Sequence, residues 1–143
     1  MIPLPPIQKQ FFASLADGRQ ILEALERIPG AMFMIKNLDS RYIFMSRALK
    51  EAVHLPASFD VVGKTDFDLF PRIIAENFRQ NDRQVFKGGR PLINEIHATG
   101  FFDHPTSWCY SSKFPLRDER GKVIGLITIN EKYADVMGQD AEL

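Results

Sequence analysis

Residues Trp108 to Lys132 read WCYSSKFPLRDERGKVIGLITINEK, and the fold turns on how this stretch pairs with itself. Two runs rich in β-branched and aromatic residues flank the polar segment Leu116-Arg117-Asp118-Glu119-Arg120-Gly121-Lys122. The first run, Trp108 to Phe114, alternates: Trp108, Tyr110, Ser112 and Phe114 share one face, and Cys109, Ser111 and Lys113 the other. The second, Val123 to Asn130, is nearly all apolar. Alternation, Pro115 at a strand end and a glycine in the turn predict a β-hairpin. The apolar second strand predicts a position well inside a sheet, buried on both faces.

Outward from the hairpin, the rest of the chain supplies further strands and helices. Ala31 to Ile35 and Tyr42 to Met45 read as strands joined by the turn Leu38-Asp39-Ser40-Arg41. Arg47 to His54 predicts a short helix, and Val62 to Pro71 a loop with brief helical turns. Ile74, Phe78, Val85 and Phe86 make an apolar stripe on a longer helix, Arg72 to Lys87, ended by Gly88-Gly89. Pro91 to Thr99 reads as a strand, Gly100 to Thr106 as a loop. Before all this, Met1 to Pro6 reads as an extended lead. Ile7, Phe11, Leu15, Leu22, Leu25 and Ile28 recur near helical spacing, with Gly18 between them. That pattern predicts a kinked helix or two short ones, Ile7–Ala16 and Gly18–Arg27, with Asp17 and Gln20 as a capping box. The order is β-β-α-α-α-β-β-β behind an N-terminal helical segment.

At 143 residues the chain suits one domain with a real core. Eighteen acids balance 18 bases, so no electrostatic footprint argues for nucleic acid. One cysteine makes no internal disulfide, and no leader pattern begins the chain. No apolar run approaches the roughly 20 residues that span a bilayer. These features predict a soluble, cytoplasmic protein without membrane contact. Twelve Phe and five Met predict a bulky, adaptable interior.

The order of elements, with four segments in it, resembles a PAS domain, especially those of bacterial sensory proteins. The segments are Pro29-Gly30-Ala31-Met32-Phe33 with Lys36-Asn37-Leu38-Asp39; Gly63-Lys64-Thr65-Asp66-Phe67-Asp68-Leu69-Phe70-Pro71; Gly88-Gly89-Arg90-Pro91; and Ser112-Lys113-Phe114-Pro115-Leu116-Arg117-Asp118 leading to Gly121 and Gly125. The resemblance covers about Ile28 to Tyr133. Two positions depart from it: Ser46 stands where the family often carries Asn, weakening a strand-end cap, and Lys132-Tyr133-Ala134 replaces an Asp-Ile-Thr ending. It implies an α+β fold, a five-stranded antiparallel sheet with helices on one face, an N-terminal helix, and a ligand cavity between. The expected division is residues 1–28 as a helical cap or dimerisation segment, 29–133 as a sensor domain, and 134–143 as a tail or truncated linker; the apolar stripe Phe11, Leu15, Leu22 and Leu25 packs either on the chain's own sheet or against a second copy in a homodimer. Output domains in the family include kinases, cyclases and DNA-binding factors.

Candidate chemistry is sparse. Asp66 and Asp68 bracket Phe67, and Asp82 lies in the long helix; the plain reading of Asp66 is a cap for the helical turn that follows. His54, His97 and His104 lack metal spacing, and one cysteine completes no zinc set. The long helix lacks the histidine from which haem-binding PAS domains often hang their iron, although His97 with a methionine stays open as another axial route. The thiol that flavin-bonding relatives use is missing from the Thr65–Asp68 region, and Cys109 reads as a small buried residue. No nucleophile–base pair or phosphate-cradling loop occurs. The expectation is a non-enzymatic, colourless domain without cofactor.

A cavity remains. Strand parity, set by similarity to flavin-binding relatives, turns Cys109, Ser111 and Lys113 inward, with Met34, Lys36, Asn94, Ile96, Leu126, Thr128 and Asn130. Phe78 joins them from the long helix. Hydrophobicity alone argues the reverse for the Trp108 strand, and a slip of one residue inverts the set. Inward lysines need an anion or a carboxylate; the alternative is that Lys36 and Lys113 snorkel to water. The expected ligand is small and carries an acid or a carbonyl, held between the lysines and fixed by Ser111, Thr128 and Asn130.

Overall fold

The computed structural model describes residues 3–98 and 108–132. Ten elements follow in order: α1 (Pro6–Ser14), α2 (Arg19–Leu25), β1 (Met32–Asn37), β2 (Tyr42–Met45), α3 (Arg47–Ala52), α4 (Asp66–Leu69), α5 (Arg72–Gly88), β3 (Leu92–Ala98), β4 (Trp108–Arg117) and β5 (Val123–Lys132). The five strands form one antiparallel sheet in the order β2-β1-β5-β4-β3. The Gly100–Thr106 loop and the Ala134–Leu143 tail lie outside the described residues.

The β4–β5 hairpin forms where the sequence predicts it. Its turn closes through the Asp118 carboxylate, which accepts from the Arg120 and Lys122 amides, and through Gly121 at φ 81°. A bulge at Leu116/Arg117 fits the odd residue count into the ladder. β5 is the central strand, but it is not buried on both faces: Leu126 and Thr128 are buried inward, while Ile129 on the opposite face is exposed. The reason is that α2 leaves an open groove against the outer face instead of packing flat on it. There Leu22, Leu25 and Ile28 flank a groove of about 370 Å³ floored by Phe33, Ile127 and Ile129.

Ser46 replaces the expected asparagine without losing the cap. Its hydroxyl accepts from the Phe33 amide at 3.0 Å and the Leu49 amide at 3.4 Å, and donates to the Ala31 carbonyl at 2.8 Å. It thereby joins β1 to the start of α3. The expected Asp17–Gln20 capping box does not form: Gly18 is the N-cap of α2, and the Asp17 carboxylate accepts instead from the Arg19 amide at 2.9 Å and from the Arg19 guanidinium. The core lies on the inner sheet face, where Met32, Met34, Tyr42, Met45 and Cys109 pack with Leu49 and Val61.

Candidate functional site

The inner face follows directly from the ladder. In antiparallel pairs, residues opposite one another share a face. Met34 pairs with Thr128 and Thr128 with Lys113; Lys36 pairs with Leu126; Asn130 pairs with Ser111. Met34, Lys36, Ser111, Lys113, Leu126 and Thr128 are all buried, and Asn130 is half-buried at the end of the row. Seven of the ten expected residues thus share one inner surface, and half-buried Phe78 reaches it from α5, its ring centroid 5.8 Å from Lys113 Nζ.

Asn94 and Ile96 do not belong to it. Asn94 takes a left-handed backbone, φ 54°, at a bulge between Leu92 and Glu95. The bulge shifts parity by one residue: Glu95 falls opposite inward Ser111, and Ile96 opposite Tyr110 on the outer face. Ile96 is 51% exposed, and the Asn94 amide bonds Ser112 Oγ, which also faces outward. The expected inward position of both residues is therefore corrected.

The lysines do not reach water. Lys36 Nζ lies 2.5 Å from Asp66 Oδ2 and 3.0 Å from Asp82 Oδ2, and Lys113 Nζ lies 2.5 Å from Asp82 Oδ1. Ser40 donates to Asp82 Oδ2 at 3.0 Å, and the Tyr42 hydroxyl donates to Asp66 Oδ1. All six side chains are buried. The cluster ties α4 and α5 to β1, β4 and the β1–β2 turn.

Local sequence explains how the acids arrive there. Asp66 is not the cap: Thr65 is the N-cap of α4, and its amide donates to the Asp68 carboxylate at 2.9 Å. This capping box leaves Asp66 at the first helical position, turned inward. Asp82 stands four residues after Phe78 and three before Val85, so it occupies the inward stripe of α5. An acid inside an apolar stripe, facing two inward lysines, is the signal in the sequence that locates it.

Burial and charge pull these groups in opposite directions. Burial works hardest to depress Lys36, but the charges and hydrogen bonds of Asp66 and Asp82 outweigh it and hold the ammonium above its usual range. Burial likewise opposes ionisation of Asp82, yet Lys36 and Lys113 keep its carboxyl below the ordinary value. Lys113 ends below the usual lysine range, through burial first and the neighbouring Lys36 charge second. Burial and the Asp66 charge push the Tyr42 phenol well up. Burial pushes the Cys109 thiol up to about 11, so it is an inert thiol near neutral pH.

One inner-face group is left over. The Thr128 hydroxyl is fully buried and has no hydrogen-bond partner among the described residues. Among those residues no group of three His, Cys, Asp or Glu side chains is placed to hold a metal, and no helix is long and apolar enough to cross a membrane.

Comparison with known proteins agrees with this geometry. Residues 25–137 match the PAS fold family model. The methanogenesis regulatory histidine kinase FilI of Methanothrix harundinacea is 30% identical over 109 residues, 76% of this chain but 12% of that protein. Among solved structures, the Vibrio cholerae VqmA dimer in the absence of target DNA superposes with a TM-score of 0.67 at 26% identity, covering 82% of this chain and 52% of that one. VqmA bound to DPO gives 0.65 at 26%, covering 80% and 57%. The PAS domain of Bordetella pertussis BvgS shares the fold, with a TM-score of 0.66 at 16% identity over 88% of this chain and 96% of that domain. The chain spans about half of the VqmA chains and a small part of the kinase. With its sheet in the order β2-β1-β5-β4-β3 and helices α3 to α5 between β2 and β3, this chain belongs to the PAS family.

Proposed function

We propose that this chain is a sensory, non-catalytic PAS module of a signalling or transcription-regulatory protein. It binds a small molecule between the inner sheet face and α5 and relays its presence through the chain termini to an output domain. The observation that carries the reading is the inner face itself: beside the apolar Met34, Leu126 and Phe78, a buried hydroxyl, Thr128, stands without a partner. Buried polar groups are nearly always satisfied, and pockets for small molecules combine apolar walls with a few such groups. The VqmA structure bound to DPO and the regulatory kinase FilI are relatives whose names fit a sensory role. The module neither binds nucleic acid directly nor needs a metal, haem or flavin, and it works in the cytoplasm.

A homodimer completes the reading. No side chain of α1 is buried, Ile7, Phe11 and Phe12 stand exposed, and α2 makes an open apolar groove with the outer face. Apolar surface of this kind marks an interaction site. Here residues 1–28 and the outer face of residues 29–133 are the contact. Native mass spectrometry of protein purified from cells tests the ligand. A mass beyond that of the polypeptide, lost on denaturation, is expected. Bare polypeptide alone would refute ligand sensing and leave the second reading, a ligand-free dimerisation module, which the open α1 and groove favour.

A further inference from the structure

We propose that the ligand is uncharged and that a carbonyl or amide group of it is held by the Thr128 hydroxyl rather than by the lysines. This rests on the ligand-binding reading above and names the ligand's chemistry.

The buried charges already balance one another. Lys36 and Lys113 face Asp66 and Asp82, two cations against two anions, all buried. The carboxylate oxygens are engaged as well: Asp82 Oδ2 accepts from Lys36 and Ser40, Oδ1 from Lys113, and Asp66 accepts from Lys36 and Tyr42. The repulsion between two inward lysines, which would attract an acidic ligand, is already relieved by the protein's own acids. A carboxylate ligand would bring a third anion and an amine ligand a third cation. Either leaves a buried charge without a counterpart, the costly arrangement in a low-dielectric interior.

Thr128 stands on the central strand with Met34 opposite on one side and Lys113 opposite on the other. Leu126, two residues away on the same face, is fully buried too. A hydroxyl set in such a wall donates to a carbonyl without needing any charge on it.

Calorimetry at about pH 7, where carboxylates are ionised, tests this with two matched probe pairs: propionamide against propionate, and benzamide against benzoate. The proteins are wild type, Thr128→Val and Thr128→Ser. At least one amide should bind, with its carboxylate at least about tenfold weaker. Thr128→Val should weaken the amide by up to about tenfold, the range of one neutral hydrogen bond, and Thr128→Ser should restore it. A carboxylate binding as well as its amide overturns the proposal while leaving ligand sensing intact. So does an amide untouched by Thr128→Val, because the hydroxyl is then satisfied by water. Failure of both amides also overturns it. The native mass spectrum then decides separately whether ligand sensing falls as well.

Discussion

Replacing Asp82 by asparagine isolates what the buried cluster contributes. The carboxylate of Asp82 faces Lys36, Lys113 and Ser40 at once. Asparagine keeps the shape but turns one oxygen into an NH₂ donor, which then confronts an ammonium. It also leaves two buried cations against the single carboxylate of Asp66. Removing one partner of a buried ion pair costs about 3–5 kcal/mol. A domain holds only about 5–15 kcal/mol in all, so the variant should sit near the edge of folding. At about 3–4 °C per kcal/mol for a chain of this size, the melting temperature should fall by roughly 10–20 °C. The partner experiment is Asp82→Asn with Lys113→Met, which removes the surplus cation and restores balance between Lys36 and Asp66. Coupled sites deviate from additivity by about 0.5–3 kcal/mol, and here the double variant should be more stable than Asp82→Asn alone by at least about 1 kcal/mol. Urea unfolding followed by circular dichroism measures wild type, Asp82→Asn, Lys113→Met and the double variant, with an unchanged slope as the check on two-state behaviour. A single-variant loss below about 1 kcal/mol, or losses that simply add, would refute the account of the cluster as one closed charge unit.

Four further outcomes follow from other parts of the molecule. Gly125→Ala should cost about 3 kcal/mol or more in urea unfolding, because a Cβ there would meet the Lys36 carbonyl oxygen at 2.3 Å. Thr128→Val should leave the ligand-free domain as stable or up to about 1 kcal/mol more stable, since it removes an unsatisfied buried hydroxyl; a loss of stability would mean the hydroxyl is bonded. The Asp82 carboxyl is depressed by folding, so its contribution is present above the unfolded value near pH 3.9 and vanishes as pH falls through the lower folded value; wild type should lose stability there more steeply than Asp82→Asn, and parallel curves would refute this. Protein beginning at Pro29 should sediment as monomer where the full chain sediments as dimer, and an unchanged dimer would remove residues 1–28 from the interface.

Much of this was legible in the sequence where one simple period governs. The 108–132 hairpin declares itself because alternation on β4 and a turn with Asp118 and Gly121 agree. The pocket set followed the same parity, and it held for Lys36, Ser111, Lys113 and Thr128 because β1, β4 and β5 pair without a slip across those positions. It failed at Asn94 and Ile96 because a bulge is a one-residue event and leaves no periodic trace. The depth of burial on β5 was overestimated for a different reason. An apolar strand reports what its side chains favour, whereas the cover over Ile129 depends on how closely α2 packs on the outer face.

The acids show where local and tertiary signals compete. Asp66 and Asp68 both follow a threonine at a helix start, where either carboxylate suits the positive end of the helix. Geometry separates them: Asp68, at the third helical position, folds back to the Thr65 amide, and the position left to Asp66 faces the sheet. Once Asp66 points inward it needs a cation, and Lys36 on β1 is the one within reach. That consumes half of Lys36, and Asp82 takes the rest while meeting Lys113 from β4. Each charge is thus buried only because the next one is, so the set behaves as a single unit rather than as separate pairs. An apolar core of equal volume would hold the domain together at least as well. The polar set additionally fixes which turn of α5 lies over which strand, because an acid moved to the exposed next position, Arg83, would leave Lys113 without its carboxylate. The unpartnered Thr128 hydroxyl, next to Lys113 in the same wall, is then the one fully buried inner-face side-chain polar atom among the described residues that this closed arrangement leaves for another molecule.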